Sequence, residues 1–455
     1  MSEESSFLGT EPVKRLLLRL AIPTVAAQLI NMLYNIVDRI YIGHIPGDGA
    51  LALTGVGVCM PLIMIISAFA ALVSSGGAPR ASIFMGRRDG AAAERTLGNC
   101  FSLQLLLSAV LTAVLLLWNR PFLLAFGASG KTIGYAVEYM NIYALGTVLV
   151  QLTLGMNAFI TAQGFAKTGM LSVAIGAVSN IVLDPIFIFG FRMGVAGAAW
   201  ATVISQGISC AWVVSFLLGK KTILKIRRAN LRLRGNVILP CLALGLASFI
   251  MQASESVIAV CFNASLLRYG GDTAVGAMTI LTSVMQFAML PLQGLGQGAQ
   301  PILSYNYGAR NKKRVRDTYF LLLKISLIYS TALWALIQLF PGMFAAIFTS
   351  DGALAAFTAR ALRIYTASMF LFGIQMACQM AFTALGRAKE SITVAVVRKF
   401  VLLIPLIYLL PALLPGGKTM SVYLAEPAAD ALAVTFTAIL FANRFKKILA
   451  ELDHD

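Results

Sequence analysis

Apolar residues along this chain fill long blocks set apart by short polar stretches that hold most of the charge. A helix crossing a bilayer needs about 20 mostly apolar residues. Twelve blocks reach that length: 16–42, 52–77, 97–118, 133–160, 168–190, 195–218, 237–265, 274–297, 318–346, 359–384, 391–413 and 425–443. Each predicts a membrane-spanning helix, and little chain is left for a soluble domain.

The blocks repeat. Residues 161–167 read Thr-Ala-Gln-Gly-Phe-Ala-Lys and residues 383–389 read Thr-Ala-Leu-Gly-Arg-Ala-Lys, five matches in seven at an offset of 222. The same offset pairs Pro79 with Pro301, Gly86 with Gly308 and Tyr143 with Tyr365. A constant offset marks internal duplication. Six spans per half is an even number, so both halves insert with the same orientation, as a parallel repeat about an axis along the membrane normal. The predicted fold is an all-α integral membrane protein of twelve transmembrane helices in two six-helix lobes, 1–218 and 237–455, joined by a basic cytoplasmic linker at 219–236. Duplicated membrane halves are typical of secondary transporters, whose sites lie between the halves. Spans two and eight are expected to end at Ala78-Pro79 and Gln300-Pro301 and to turn there. Glycines at small-residue spacing, such as Gly294, Gly296 and Gly298, let helix backbones approach closely. Pro23 and Pro185 each remove a backbone donor and can kink a span.

Hydrophobic residues make up 58% of the 455 and charged residues 12%, about half the share in a soluble domain. The net charge of +17 falls in alternate loops, around 80–95, 220–234, 310–316 and 444–447 and before span one. This is the positive-inside pattern. It places both termini in the cytoplasm and turns the basic surface toward anionic lipid rather than nucleic acid. The cysteines, Cys59, Cys100, Cys210, Cys241, Cys261 and Cys378, lie singly in or beside apolar spans and form no metal or disulfide framework. His44 and His454 are too far apart to form a metal site.

Ionisable residues inside an apolar span are costly and usually functional. Three acids stand out: Asp38 in span one, Asp184 in span five and Glu255 in span seven. Asp38 lies five residues before Gly43 and Asp184 six before Gly190, which puts both at similar depth in the outer half of the first lobe. Asn180, four residues before Asp184, shares its helix face, and Pro185 leaves the Ile181 carbonyl without a helical donor. Two carboxylates, an amide oxygen and a loosened carbonyl suit a sodium ion or a shared proton. At the offset of 222 the acids align with apolar residues: Asp38 with Val260, Asp184 with Leu406 and Glu255 with Leu33. The scaffold is symmetric and the acids are not. This suggests that one half carries the coupling ion while Glu255 faces the central cavity. An anionic cavity wall favours a cationic substrate. Gln28, Met32, Tyr34, Asn35, Phe159, Gln252, Met285, Phe287, Gln375, Met376 and Gln379 are candidates to line it. Met and aromatic surfaces adapt to varied shapes, and aromatic faces attract cations. The basic residues Lys324, Arg363, Arg398 and Lys399 lie within later spans. Arg398 and Lys399 could snorkel to the cytoplasm or meet an anionic substrate.

Four local patterns bring a family into view. They are Asn35-Ile36-Val37-Asp38, Met156-Asn157-Ala158-Phe159 through Gln163-Gly164, Asn180-Ile181-Val182-Leu183-Asp184-Pro185, and Gln300-Pro301 to Asn306-Tyr307-Gly308-Ala309. With the length and the paired halves, the chain resembles the bacterial branch of the multidrug and toxic compound extrusion (MATE) family over essentially its whole length. Within it, the chain is most similar to the staphylococcal-type multidrug exporters. The resemblance implies a V-shaped transporter that exports organic cations against an inward flow of protons or sodium ions. It implies ion-coupling roles for Asp38, Asn157, Asn180, Asp184 and Thr202, with any sodium ion at Asp38, Asn180 and Asp184, and a cavity role for Glu255. Some relatives also carry an acid in the tenth span. Residues 360–384 hold none here, so that second-lobe cation site does not carry over.

The expected protein is therefore a multi-pass antiporter of the bacterial cytoplasmic membrane, a monomer, with small organic cations and membrane lipid as partners and no cofactor beyond the coupling ion. The alternative is a lipid-linked oligosaccharide flippase of the same superfamily, which would need a strongly cationic cavity. A membrane enzyme is not expected, since no aspartate-rich motif or His-based acid–base pair is present, and no repeated selectivity filter suggests a channel.

Overall fold

A computed structural model of the chain describes residues 7–414 and 416–452; His454 lies outside the described residues. Twelve spans can be traced among them. In the first half they are α1 (Val13–Gly43), α2 (Gly49–Gly86), α3 (Gly90–Ala125), α4 (Ile133–Leu145 and Thr147–Ala162), α5 (Ala166–Gly190) and α6 (Gly194–Leu218). The 74-residue helix Gly235–Gly308 is two spans, because Gly271 leaves the helical region at φ 63°, ψ −160°; α7 precedes it and α8 follows. The remainder are α9 (Lys312–Leu339), α10 (Gly352–Tyr365 and Met369–Ala384), α11 (Ala388–Leu413) and α12 (Lys418–Glu451). The outward surfaces stay apolar. Leu117, Val260 and Ile439 are more than half exposed, as in a helix bundle solvated by lipid.

The repeat is visible in backbone detail. α4 bends by 57° just after Tyr143, and α10 bends by 46° just after its mate Tyr365. Gly164 and Gly386, the glycines of the repeated motif, both take positive φ (91° and 72°), which a side chain would resist. Arg88 and Arg310, again 222 apart, share φ near 60° (60° and 56°). One of the motif's two mismatches, at Gln163, is also explained. Gln163 Oε1 accepts from the Thr222 hydroxyl (2.9 Å) and from the backbone N–H groups of Ile223 (2.8 Å) and Leu224 (2.9 Å). Its mate Leu385 has no linker to hold.

Two expectations are corrected. Spans two and eight do not end at Pro79 and Pro301. Their helices run on to Gly86 and Gly308, so Arg80 is helical and the turns fall at Arg87–Asp89 and Ala309–Asn311. A proline loses only its own donor, and the packing of both helices carries them past it. Span nine stops at Leu339, and Pro341 starts a separate short helix, Pro341–Phe348. The stretch 219–236, expected as the linker between the lobes, is held against the first lobe. Leu224 is fully buried, Asn230 and Leu231 accept from Asn99 (3.1 Å) and Ser102 (2.7 Å) of α3, and α7 begins at Gly235.

The lobes meet backbone to backbone. A Cβ on Gly86 would overlap the Tyr305 carbonyl oxygen, and one on Gly308 would overlap that of Ile83, the residues equivalent to each other at the offset of 222. Two further crossings flank this pair. Gly76 and Gly245 lock α2 to α7 through the carbonyls of Cys241 and Leu72, and Gly294 and Gly298 lock α8 to α1 at Val25 and Ala21. The Thr24 hydroxyl, beside Pro23, donates to the Gly294 carbonyl at 2.6 Å. Core packing follows the same plan. One buried cluster draws on both lobes at the end holding Gly86 and Gly308, whereas at the other end each lobe has its own cluster, around Val56 and Tyr139 in the first and around Phe262 and Tyr423 in the second. The molecule is joined at one end and split at the other.

Replacing Gly308 with Ala should cost about 1–3 kcal/mol, as overpacking does, and lower the thermal unfolding midpoint. Gly57→Ala, at a glycine with open space around it, is the control that should leave the midpoint unchanged.

Candidate functional site

Four of the five expected coupling residues come together in the split half of the first lobe. Asp38 of α1 and Asp184 of α5 stand with their carboxyl groups within hydrogen-bonding reach of each other. Asn180 Nδ2 donates to Asp184 Oδ1 at 3.2 Å and to the Thr202 hydroxyl of α6 at 3.4 Å. Asn180, Asp184 and Thr202 are all buried. The helical period puts Asn180 beneath Asp184, and Pro185 ends the α-helical part of α5 there, so that it continues as the π-helical turn Ile186–Gly190. Turns of that kind concentrate at functional sites. Tyr34 stands close enough to feel the charge of both acids and Tyr139 that of Asp38, and Tyr139 also reaches the Thr202 hydroxyl.

Three buried oxygens in this pocket, Asp38 Oδ1, Asp184 Oδ2 and Asn180 Oδ1, have no hydrogen-bond donor among the described residues. A buried acceptor left unmet costs about 1–3 kcal/mol, more if charged. Unmet acceptors of this kind beside two carboxyl groups form a place for a proton or a small hard cation.

Asn157 is not part of this group. Its amide donates to the Gly169 carbonyl at 3.3 Å. Gly169 lies eleven residues before Asn180 on α5, about 16 Å along the axis. α4 and α5 run antiparallel, so a residue near the end of one packs near the start of the other. Asn157 Oδ1 is itself buried without a donor.

The candidate cavity residues divide. Gln252 is exposed and lies on the face by which α7 crosses α2 at Gly245, so it looks across the split toward the first lobe. Glu255 follows one turn later and is half exposed. Met32, Tyr34 and Asn35 are partly buried on α1, with the Asn35 amide on the Asn31 carbonyl (2.7 Å). Gln28 donates to Gln297 across the lobe junction at 3.2 Å. Phe287 remains exposed. Others are held by neighbours within their own lobe. Phe159 and Gln375 are buried in the interior, Met285 and Met376 pack on the second lobe's own core, and Gln379 is tied to the Ser391 hydroxyl at 2.7 Å. At helical spacing these side chains face their own bundle, because packing wins wherever a neighbouring helix is close.

Arg398 and Lys399 neither snorkel nor stand free. Arg398 and Lys399 lie on the π-helical turn Val397–Leu403 of α11 and are buried. Arg398 Nε donates to Asp430 Oδ1 at 2.8 Å, Arg398 Nη2 lies 3.9 Å from Glu426 Oε1, and the guanidinium sits 5.2 Å from the centre of the Phe372 ring. Lys399 Nζ donates to Glu255 Oε1 at 2.6 Å. Arg363 instead exchanges hydrogen bonds with Gln338 (3.2 and 2.9 Å) at an exposed position, and Lys324 is exposed on α9. Glu426 and Asp430 were not among the expected residues. Their spacing of four within an apolar span was the available signal. Both sit near the start of span twelve, where acids are easily taken for part of a loop.

A model of the MatE family matches residues 23–186 and 247–409, one stretch in each lobe. The chain belongs to the MatE family. This transporter is 24% identical over 447 residues to the multidrug export protein MepA of Staphylococcus haemolyticus, covering 98% of this chain and 97% of that protein. A solved structure of MATE in the bent conformation matches it with a TM-score of 0.92, and an outward-facing conformation of a multidrug resistance MATE family transporter with 0.89. Each is 24% identical and covers both chains fully, so the fold is common to all three.

Arg398→Met should be strongly destabilising, by about 3–5 kcal/mol, since it leaves Asp430 buried and uncompensated. The double variant Arg398→Met/Asp430→Leu should recover much of that loss in a thermal unfolding assay.

Proposed function

We propose that this transporter is a cation-coupled antiporter that exports small organic cations across the bacterial cytoplasmic membrane by alternating access. The observation that carries the reading is the pocket of Asp38, Asn180 and Asp184, with three buried oxygens lacking donors. Such a pocket must be neutralised to be stable, and an external proton or sodium ion does so. The likeness to multidrug export proteins over nearly the whole chain supports the same reading.

Orientation follows from charge. The basic segments 87–95, 220–234, 310–316 and 444–447 gather at the joined end, with the start of α1. By the positive-inside rule that end is cytoplasmic, and so are both termini. The split then opens outward. In the cycle, a cation or proton entering from outside settles between Asp38 and Asp184 and changes the packing of α1, α5 and α6. The repacked first lobe loosens the gap's hold on substrate, which leaves outward; return to the inward-facing state releases the coupling ion. The protein works as a monomer. A flippase for pyrophosphate-linked lipids would need uncompensated cations in the gap. Arg398 and Lys399 are matched here by three acids, which favours the cationic-substrate reading.

The purified transporter, reconstituted in sealed liposomes with a fluorescent organic cation, should move dye under an imposed proton or sodium gradient at matched membrane potential. Whichever gradient drives it names the coupling ion. Asp38→Asn and Asp184→Asn should each fold but lose at least roughly tenfold in gradient-driven rate, as loss of a charged intramembrane ion site implies. Full transport by both variants would remove the pocket from the coupling mechanism.

A further inference from the structure

Glu255, Glu426 and Asp430 face Arg398 and Lys399 inside the second lobe, three acids against two bases. Arg398 is held firmly, with Asp430 on its Nε and Phe372 against its guanidinium. Glu426 is the acid left short. It is 7% exposed, its nearest paired cation is Arg398 at 3.9 Å, and among the described residues none donates a hydrogen bond to it. It nonetheless lies within electrostatic reach of Lys399 and Glu255. The Lys399–Glu255 pair is lopsided: the lysine side chain is 5% exposed and the carboxylate 49%. A purely structural ion pair in a membrane would bury both partners. Here the ammonium is hidden and its partner is half exposed, one helical turn beyond Gln252 on α7. The scaffold does not demand any of this. At the offset of 222, Glu255, Arg398, Lys399, Glu426 and Asp430 correspond to Leu33, Gly176, Ala177, Ile204 and Ile208.

We propose that Lys399 is a tethered counter-ion that occupies Glu255 when no substrate is bound, and that an organic monocation entering the split takes Glu255 while the Lys399 ammonium moves to Glu426. The inference rests on the reading of this transporter as an exporter of cations. Charge decides the direction. Without substrate the formal charges of the cluster sum to one negative in excess, and Glu426 is its least paired acid. With a monocation on Glu255, three acids meet three cations and none is left unpaired. A flexible four-carbon stem lets lysine make this move, whereas the planar, doubly anchored Arg398 stays in place. A neutral ligand cannot displace the ammonium, and an anion meets Glu255 first. The cluster therefore selects single positive charge by exchange and needs no gradient to do so.

The test is equilibrium binding of the fluorescent monocation ethidium to the purified transporter in nanodiscs, with no ion gradient. Removing the tethered competitor in Lys399→Gln should tighten binding roughly tenfold, whereas Glu255→Gln and Glu426→Gln should each weaken it roughly tenfold, the range expected for close charge pairs. In the Lys399→Gln background, adding Glu426→Gln should change nothing further. Ethidium binding by wild type with no tightening in Lys399→Gln would overturn the exchange and leave the export reading standing. Absence of binding to wild type would overturn both. If Lys399→Gln does not fold, Glu426→Gln still decides, because it removes a poorly paired acid: wild-type affinity in that variant would refute the exchange.

Discussion

Backbone contact between α2 and α8 is the constraint on which the rest of this molecule depends. Gly86 and Gly308 each face the carbonyl of the other helix, three residues before the opposing glycine, and no side chain fits between them. In lipid, helices gain little from hiding apolar surface, so close van der Waals approach of backbones has to hold the halves together. The approach is concentrated at one end. The shared core forms there, and the lobes keep separate cores at the other end. That arrangement leaves a split into which polar groups such as Gln252 and Glu255 can project without meeting lipid.

On this near-symmetric frame the charges are distributed without symmetry. The first lobe carries two acids and an amide with unmet oxygens. The second carries five charged side chains that nearly cancel. The two devices answer different physical demands. An acid pair without a base is stable in lipid only with a guest ion or proton, which suits a site that must load and unload. A nearly balanced cluster persists without a guest and responds only when the balance is disturbed. π-helical turns mark both places, at Ile186–Gly190 beside Asp184 and at Val397–Leu403 carrying Arg398 and Lys399.

Much of the site was legible because the membrane penalises charge. Asp38, Asn180 and Asp184 stood out against apolar spans, and a helical spacing of four with a matched depth sufficed to bring them together. Reading was weakest where the partner lay on a distant helix. Arg398 and Lys399 suited either the interface or an anionic substrate, and Glu426 and Asp430, near the start of span twelve, drew no notice. Each became intelligible only as half of a pair across α7, α11 and α12. Asn157 and Phe159 show the same limit in reverse. Their residue types suited a site, and antiparallel packing of α4 with its neighbours turned them elsewhere.

The sequence by itself determined the twelve spans, the duplication and the residues whose burial would be costly. Apolar length, a fixed offset and isolated charge are local properties that survive without coordinates. It also held the reason for the repeated Gly164 and Gly386, since a positive φ leaves its trace as glycine. Only the tertiary structure decided which charges neutralise one another, which polar side chains face the split, and where helices run on through Pro79 and Pro301. Those outcomes depend on distances between segments far apart in the chain, and such distances follow from how closely two backbones can pack.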